Sequence, residues 1–190
     1  SGLTAIESGT FDLCKSLTTI DIPDSVAAIA DDAFIGCKAL QSFTLSPNHP
    51  YFFLADDALC RTADSTLLLY PNAREPRTYR IPDGITAISA YAFYDCDLLE
   101  SVVVPDSVTQ LPARAFSGCS ALASVSLPDS LTEVGTAAFS GCSALTGIRI
   151  PAAITEIINH TFSGCTSLAT LEIPDSVTKI GDYAFFGCTS

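Results

Sequence analysis

Phenylalanines stand at Phe93, Phe116, Phe139, Phe162 and Phe185, each 23 residues after the last, and Phe11 and Phe34 make the same step near the start. Self-similarity at such a period marks a solenoid, a stack of supersecondary units none of which can bury its apolar face alone. One copy reads Phe116-Ser-Gly-Cys119-Ser-Ala-Leu122-Ala-Ser-Val125-Ser-Leu127-Pro128-Asp-Ser-Leu131-Thr-Glu-Val134-Gly-Thr-Ala-Ala138, and Phe139 opens the next. The repeat overrides the one-or-two-domain prior for 190 residues, because a solenoid has one continuous core however long it grows.

Within a copy, Val125 and Leu127 alternate with Ser124 and Ser126, the pattern of a short half-buried strand. Pro128 ends it, having no N–H for a ladder, and Pro-Asp-Ser is turn chemistry, with Pro fixing φ at the first corner and Asp and Ser bonding their own backbone. Leu131 and Val134 point inward on a second extended piece. The stretch carrying Ala-Phe-x-Gly-Cys holds at most one turn of α or 3₁₀ helix. Stacking sets equivalent residues about 4.8 Å apart, so each apolar position becomes a ladder. Leu45 and Ile81 hold equivalent strand positions but lie 36 residues apart, 13 more than the repeat. The added chain, Tyr51-Phe-Phe-Leu54, Asp57-Ala-Leu-Cys60 and Thr66-Leu-Leu-Leu-Tyr70, predicts a hairpin that projects from the convex side of a long coil at about 46–80. The chain opens and stops partway through a coil, which reads as an excised piece of a longer protein.

Lys plus Arg number 9 against 21 Asp plus Glu, a net charge of −12. That balance argues against binding nucleic acid or an anionic membrane surface, both of which need basic patches. The apolar runs are too short to insert in a membrane.

The pattern Ile-Pro-Asp-Ser-Val-x-x-Ile-Gly-x-x-Ala-Phe-x-Gly-Cys-x-x-Leu, clearest from Leu168 to Cys188, resembles the BspA-like, or Treponema-type, leucine-rich repeats. The added stretch is similar to a variant coil of that family, in which a hairpin ends in Tyr-Pro, as at Tyr70-Pro71, before Tyr-x-Ile-Pro-Asp-Gly. The resemblance implies one right-handed leucine-rich repeat solenoid over 1–190, with short parallel β-strands on one side and turns or single helical turns on the other. It implies a secreted or cell-surface protein, most often bacterial, that acts in adhesion. It carries no catalytic residues over.

Seven cysteines, Cys14, Cys37, Cys96, Cys119, Cys142, Cys165 and Cys188, share one rung. Parallel Cβ vectors disfavour disulfides between neighbours, and a line of thiols is not the converging cluster a metal needs, so buried free thiols are expected. Cys60 lies off the rung, in the hairpin, and is the candidate exposed thiol. The acids after proline, Asp24, Asp83, Asp106, Asp129 and Asp175, serve the turn or line up for a cation, with Ala152 interrupting the row. His49 and His160 lie in different coils with no nucleophile order around them, so neither catalysis nor a cofactor is expected.

The outward strand positions remain. Asp21, Thr44, Arg80, Val103, Ser126, Arg149 and Glu172 run along one row of the sheet face, with Thr19 beside Asp21. They vary in charge while the inward rungs hold nearly constant. Such a face suits a protein or glycan ligand of a monomeric binding module, though any solvated sheet face looks similar. The alternative is a stalk that holds another domain away from the cell. Tyr51, Phe52, Phe53 and Tyr70 offer either a rival contact site or a cover for the interrupted core.

Overall fold

The computed structural model describes residues 2–190 and contains seventeen strands, numbered here in chain order. Seven three-residue strands form one side: β2 (Thr19–Asp21), β4 (Ser42–Thr44), β8 (Thr78–Arg80), β10 (Ser101–Val103), β12 (Ser124–Ser126), β14 (Gly147–Arg149) and β16 (Thr170–Glu172). A second row holds two-residue strands: β1 (Ala5–Ile6), β3 (Ala28–Ile29), β9 (Ala87–Ile88), β11 (Gln110–Leu111), β13 (Glu133–Val134), β15 (Glu156–Ile157) and β17 (Lys179–Ile180). Pairing within both rows is parallel and in register with the repeat, as in Val102↔Val125, Ile148↔Leu171 and Leu111↔Val134. The molecule is therefore a β-solenoid.

The third side contains turns and, among the described residues, no helix. Apart from the Phe34 segment, which has only the second of the two, each Phe-bearing turn segment takes a left-handed residue two positions before its Phe (Arg114 φ 57°, Ala137 φ 56°, His160 φ 59°) and another two positions after it (Gly118 φ 81°, Gly141 φ 76°). Right-handed helix cannot pass through such residues. The backbone instead bonds to the next coil: Phe116 N–H reaches Ala138 O at 2.8 Å and Gly118 N–H reaches Ser140 O at 2.7 Å.

Inside, Phe93, Phe116, Phe139, Phe162 and Phe185 stack with ring centroids 4.7, 5.4, 5.6 and 5.5 Å apart. The turn after each long strand differs in one detail from the sequence expectation. Leu131 N–H bonds Pro128 O at 3.1 Å, which makes the proline the first residue of the turn and puts the corner at Asp-Ser. The serine does not bond its own backbone either. Ser130 Oγ donates to Asp106 O (2.8 Å) and Ser176 Oγ to Ile154 O (2.8 Å), each clipping its coil to the one before.

The added stretch departs most from expectation. It folds as a three-stranded antiparallel meander, β5 (Phe52–Ala55), β6 (Ala58–Arg61) and β7 (Thr66–Leu69), and β7 then pairs in parallel with β9. It does not project. Its side chains feed two separate cores: Ala58, Cys60 and Leu67 join the C-terminal one, while Leu59, Leu68 and Leu69 join the N-terminal one. Continuous apolar runs buried on both faces are what such a wedge requires. The ring column breaks there, Phe34 turning edge-on to Phe43 (5.9 Å) and Tyr70 restarting the stack 5.3 Å from Phe93. Asn72 takes over a backbone role, its Nδ2 donating to Tyr94 O and Asp95 O at 3.0 and 3.1 Å. Tyr79 Oη donates to Ala55 O (2.8 Å), and Ala73 N–H to Leu40 O (2.8 Å) joins the flanking coils directly. Phe52 and Tyr70 are buried, Phe53 is half-buried, and only Tyr51 of the four aromatics is exposed.

Phe116→Ala is expected to cost about 3–5 kcal/mol in urea unfolding, and Leu59→Ala about 2–5 kcal/mol. A loss under about 1 kcal/mol for Leu59→Ala would put the meander outside the core.

Candidate binding face

Because β8, β10 and β12 pair in register, Arg80, Val103 and Ser126 stand side by side, and Arg149 follows on β14. These four residues border an open groove of about 580 Å³. Its other bank is the ladder of proline turns, carrying Asp83, Asp106 and Asp129. The sequence pattern assigns those acids to turn chemistry or to a shared cation. Their part in the groove follows from the turn lying directly after the strand, so that both ladders run in parallel. Arg80 Nη2 lies 3.5 Å from Asp83 Oδ1, and Arg149 Nη1 lies 2.6 Å from Asp129 Oδ1. All four side chains are exposed, and such pairs exchange readily with a ligand's charges because each is worth about 0–1 kcal/mol.

The other face residues are not gathered with these. Asp21 and Thr44 share a rung on β2 and β4, Thr44 Oγ1 donating to Asp21 Oδ1 at 2.7 Å, and Thr19 stands two residues earlier on β2, opposite Ser42. The meander interrupts the sheet between β4 and β8, which separates them from the groove. Glu172 sits beside Arg149 in register and borders a neighbouring depression of about 340 Å³.

The cysteine rung is built for packing. Cys119, Cys142 and Cys165 are buried, and their Sγ atoms donate to the carbonyls of Phe93, Phe116 and Phe139 at 2.9, 3.2 and 3.2 Å. Each thiol therefore satisfies the phenylalanine of the coil before. Cys60, expected to be exposed, is buried, because β6 is covered on both faces. Cys14 is the exposed thiol instead. Burial pushes the Cys60 and Cys165 thiols up to about 12 from an ordinary 9.0. No group of three or more His, Cys, Asp or Glu side chains converges to hold a metal among the described residues. His49 is buried in its turn, Nε2 3.1 Å from Pro23 O and Nδ1 accepting the Phe52 N–H at 3.2 Å. Exposed His160 stacks on Tyr183 at 5.2 Å.

The model of the BspA type leucine rich repeat region matches residues 1–54 and 72–190 in six copies, leaving out most of the meander. The chain belongs to this family. It is similar to a leucine rich cell surface protein from Faecalibacterium prausnitzii, 33% identical over 99% of this chain with a TM-score of 0.90. It shares its fold with the pneumococcal vaccine antigen PcpA (19% identity, 90% of this chain, TM-score 0.79). A leucine-rich repeat protein of Bacteroides ovatus aligns at 28% identity over 97% of this chain with a TM-score of 0.63. The chain spans 56%, 43% and 50% of those three chains. A search of curated proteins finds no match. No helix among the described residues is long and apolar enough to cross a membrane.

The raised thiols are expected to make folding of this BspA-type chain alkali-sensitive. Above the unfolded thiol value near 9 the unfolded chain releases protons that the folded chain keeps until about 12, so folding loses free energy as pH rises through that window. Urea unfolding under reducing conditions is expected to show losses of up to about 1.4 kcal/mol per pH unit per buried thiol between pH 9 and 11. The slope should be shallower in a Cys60→Ala/Cys165→Ala variant; an unchanged slope would exclude these thiols as its source.

Proposed function

We propose that this chain is a non-catalytic binding module of a secreted or cell-surface protein, engaging a protein or glycan ligand in an adhesive role. The observation that carries the reading is the groove between the strand face and the proline turns. Two guanidiniums and three carboxylates stand there in solvent, Arg80 on the hydrogen-bonded ladder of β8, β10 and β12, Arg149 on β14 beyond it, and the acids on the turns that follow the strands. Polar groups of both signs held on a common backbone scaffold fix partner and register by their complementarity. The cell-surface description of the Faecalibacterium protein supports the location. Family membership supports binding over catalysis, and both histidines already serve packing or turn structure. The net charge of −12 disfavours nucleic acid and anionic lipid as the partner.

A second reading, a monomeric stalk with no ligand of its own, draws support from the column of stacked rings, which gives a stiff rod. A panel of matrix proteins and glycans separates the two. The binding reading expects at least one partner, weakened about ten-fold or more by Arg80→Ala/Arg149→Ala, in line with losses at central interface arginines. No partner above background favours the stalk, and a partner indifferent to both substitutions moves the contact off this groove.

A further inference from the structure

Between regular coils the two strand rows lapse together at one place, the two-residue row lapsing alone between β9 and β11. Neither β12 with β14 nor β13 with β15 is paired, whereas both rows pair at the next junction, β14 with β16 and β15 with β17. The bond just before the long strand shows the same loosening. It is 2.7 Å from Glu100 N–H to Arg77 O and 2.9 Å from Ala123 N–H to Glu100 O, but 3.5 Å from Thr146 N–H to Ala123 O.

Two residues depart from the repeat at the lapse. Ala153 replaces the serine whose hydroxyl clips other coils to the one before. Ile158 occupies a rung where Ser89, Gly135 and Gly181 donate N–H bonds to the preceding coil at 2.8, 2.8 and 2.7 Å. A Cβ added at Gly135 would sit 2.4 Å from Ala113 N, so a branched side chain in that setting holds the coils apart. A small apolar void of about 10 Å³ remains between Leu127, Val134, Ile150, Ile154, Ile157 and Phe162. The turn side stays pinned, Phe139 N–H bonding Thr161 O at 3.0 Å and Gly141 N–H bonding Ser163 O at 2.7 Å.

We propose that this seam is the flexure of the solenoid, pinned on the turn side, opening on the strand side, and latched by Arg149 on Asp129. Arg80, Val103 and Ser126 lie before the seam and Arg149 after it, so its opening sets the width of the groove. This inference rests on the groove being the ligand face only in what the flexure would serve; a partner that draws Arg149 off Asp129 releases the latch.

Hydrogen exchange on the whole chain without any ligand tests it. The amides of Thr155 and Ile158 are expected to exchange at least about ten-fold faster than their counterparts at Thr132, Gly135, Thr178 and Gly181, as unpaired positions do. Ala153→Ser/Ile158→Ser should remove most of that difference. Arg149→Ala should speed the seam amides a further two- to five-fold, about the worth of an exposed pair, while Arg80→Ala leaves them unchanged. Seam amides as slow as their counterparts in the unaltered chain would overturn the flexure, and indifference to Arg149→Ala would overturn the latch. Neither outcome depends on whether the ligand panel finds a partner.

Discussion

Each coil of this protein is stable only against its neighbours. Among the described residues no coil has a helix to satisfy its own backbone, so the N–H groups of Phe116 and Gly118 bond forward to Ala138 and Ser140 while the thiol of Cys119 bonds back to Phe93 O. The stacked phenylalanine rings bury the apolar surface that drives these contacts. Lost pairing anywhere is therefore felt by two coils at once, as expected for a quasi-one-dimensional architecture.

The meander shows how the fold tolerates an interruption. A projecting hairpin would leave Phe34 and Tyr70 facing a gap. A wedge with apolar side chains on both faces ends one core and starts the next, and Lys38 reaches past it to Asp97 at 2.6 Å. The same logic shapes the binding face, since the wedge removes Thr19, Asp21 and Thr44 from the groove.

The 23-residue step of Phe and Cys made the solenoid, the parallel register and the inward rungs legible before any coordinates. Those features follow from periodicity, which sequence displays directly. The fate of Cys60 was not legible, because burial on both faces depends on which elements flank β6. The serine clips were misread as local because a hydroxyl has a partner of the same kind in its own turn and in the next coil. Half the groove was visible as outward strand residues, and the row of acids was visible too, but its place as the other bank emerged only once the turn ladder lay beside the strand ladder. Ala152 stood out as a break in the acid row, whereas the part of its neighbour Ala153 emerged only once the strands beside it were seen to be unpaired. Tyr91 and Tyr183 hold φ values of 62° and 56° at a rung where Gly9 has 65°, a strain that residue identity did not reveal.

The central claim is that side chains couple to the coils they touch and that the meander divides the stack into two columns. A double-mutant cycle measures it directly. Phe116→Ala with Phe139→Ala, whose rings lie 5.4 Å apart, should show a coupling of about 0.5–1.5 kcal/mol in urea unfolding. Phe34→Ala with Phe93→Ala, on opposite sides of the wedge, should be additive to within about 0.5 kcal/mol. Additivity for the first pair, or equal coupling for both, would contradict a core built by stacking coil on coil.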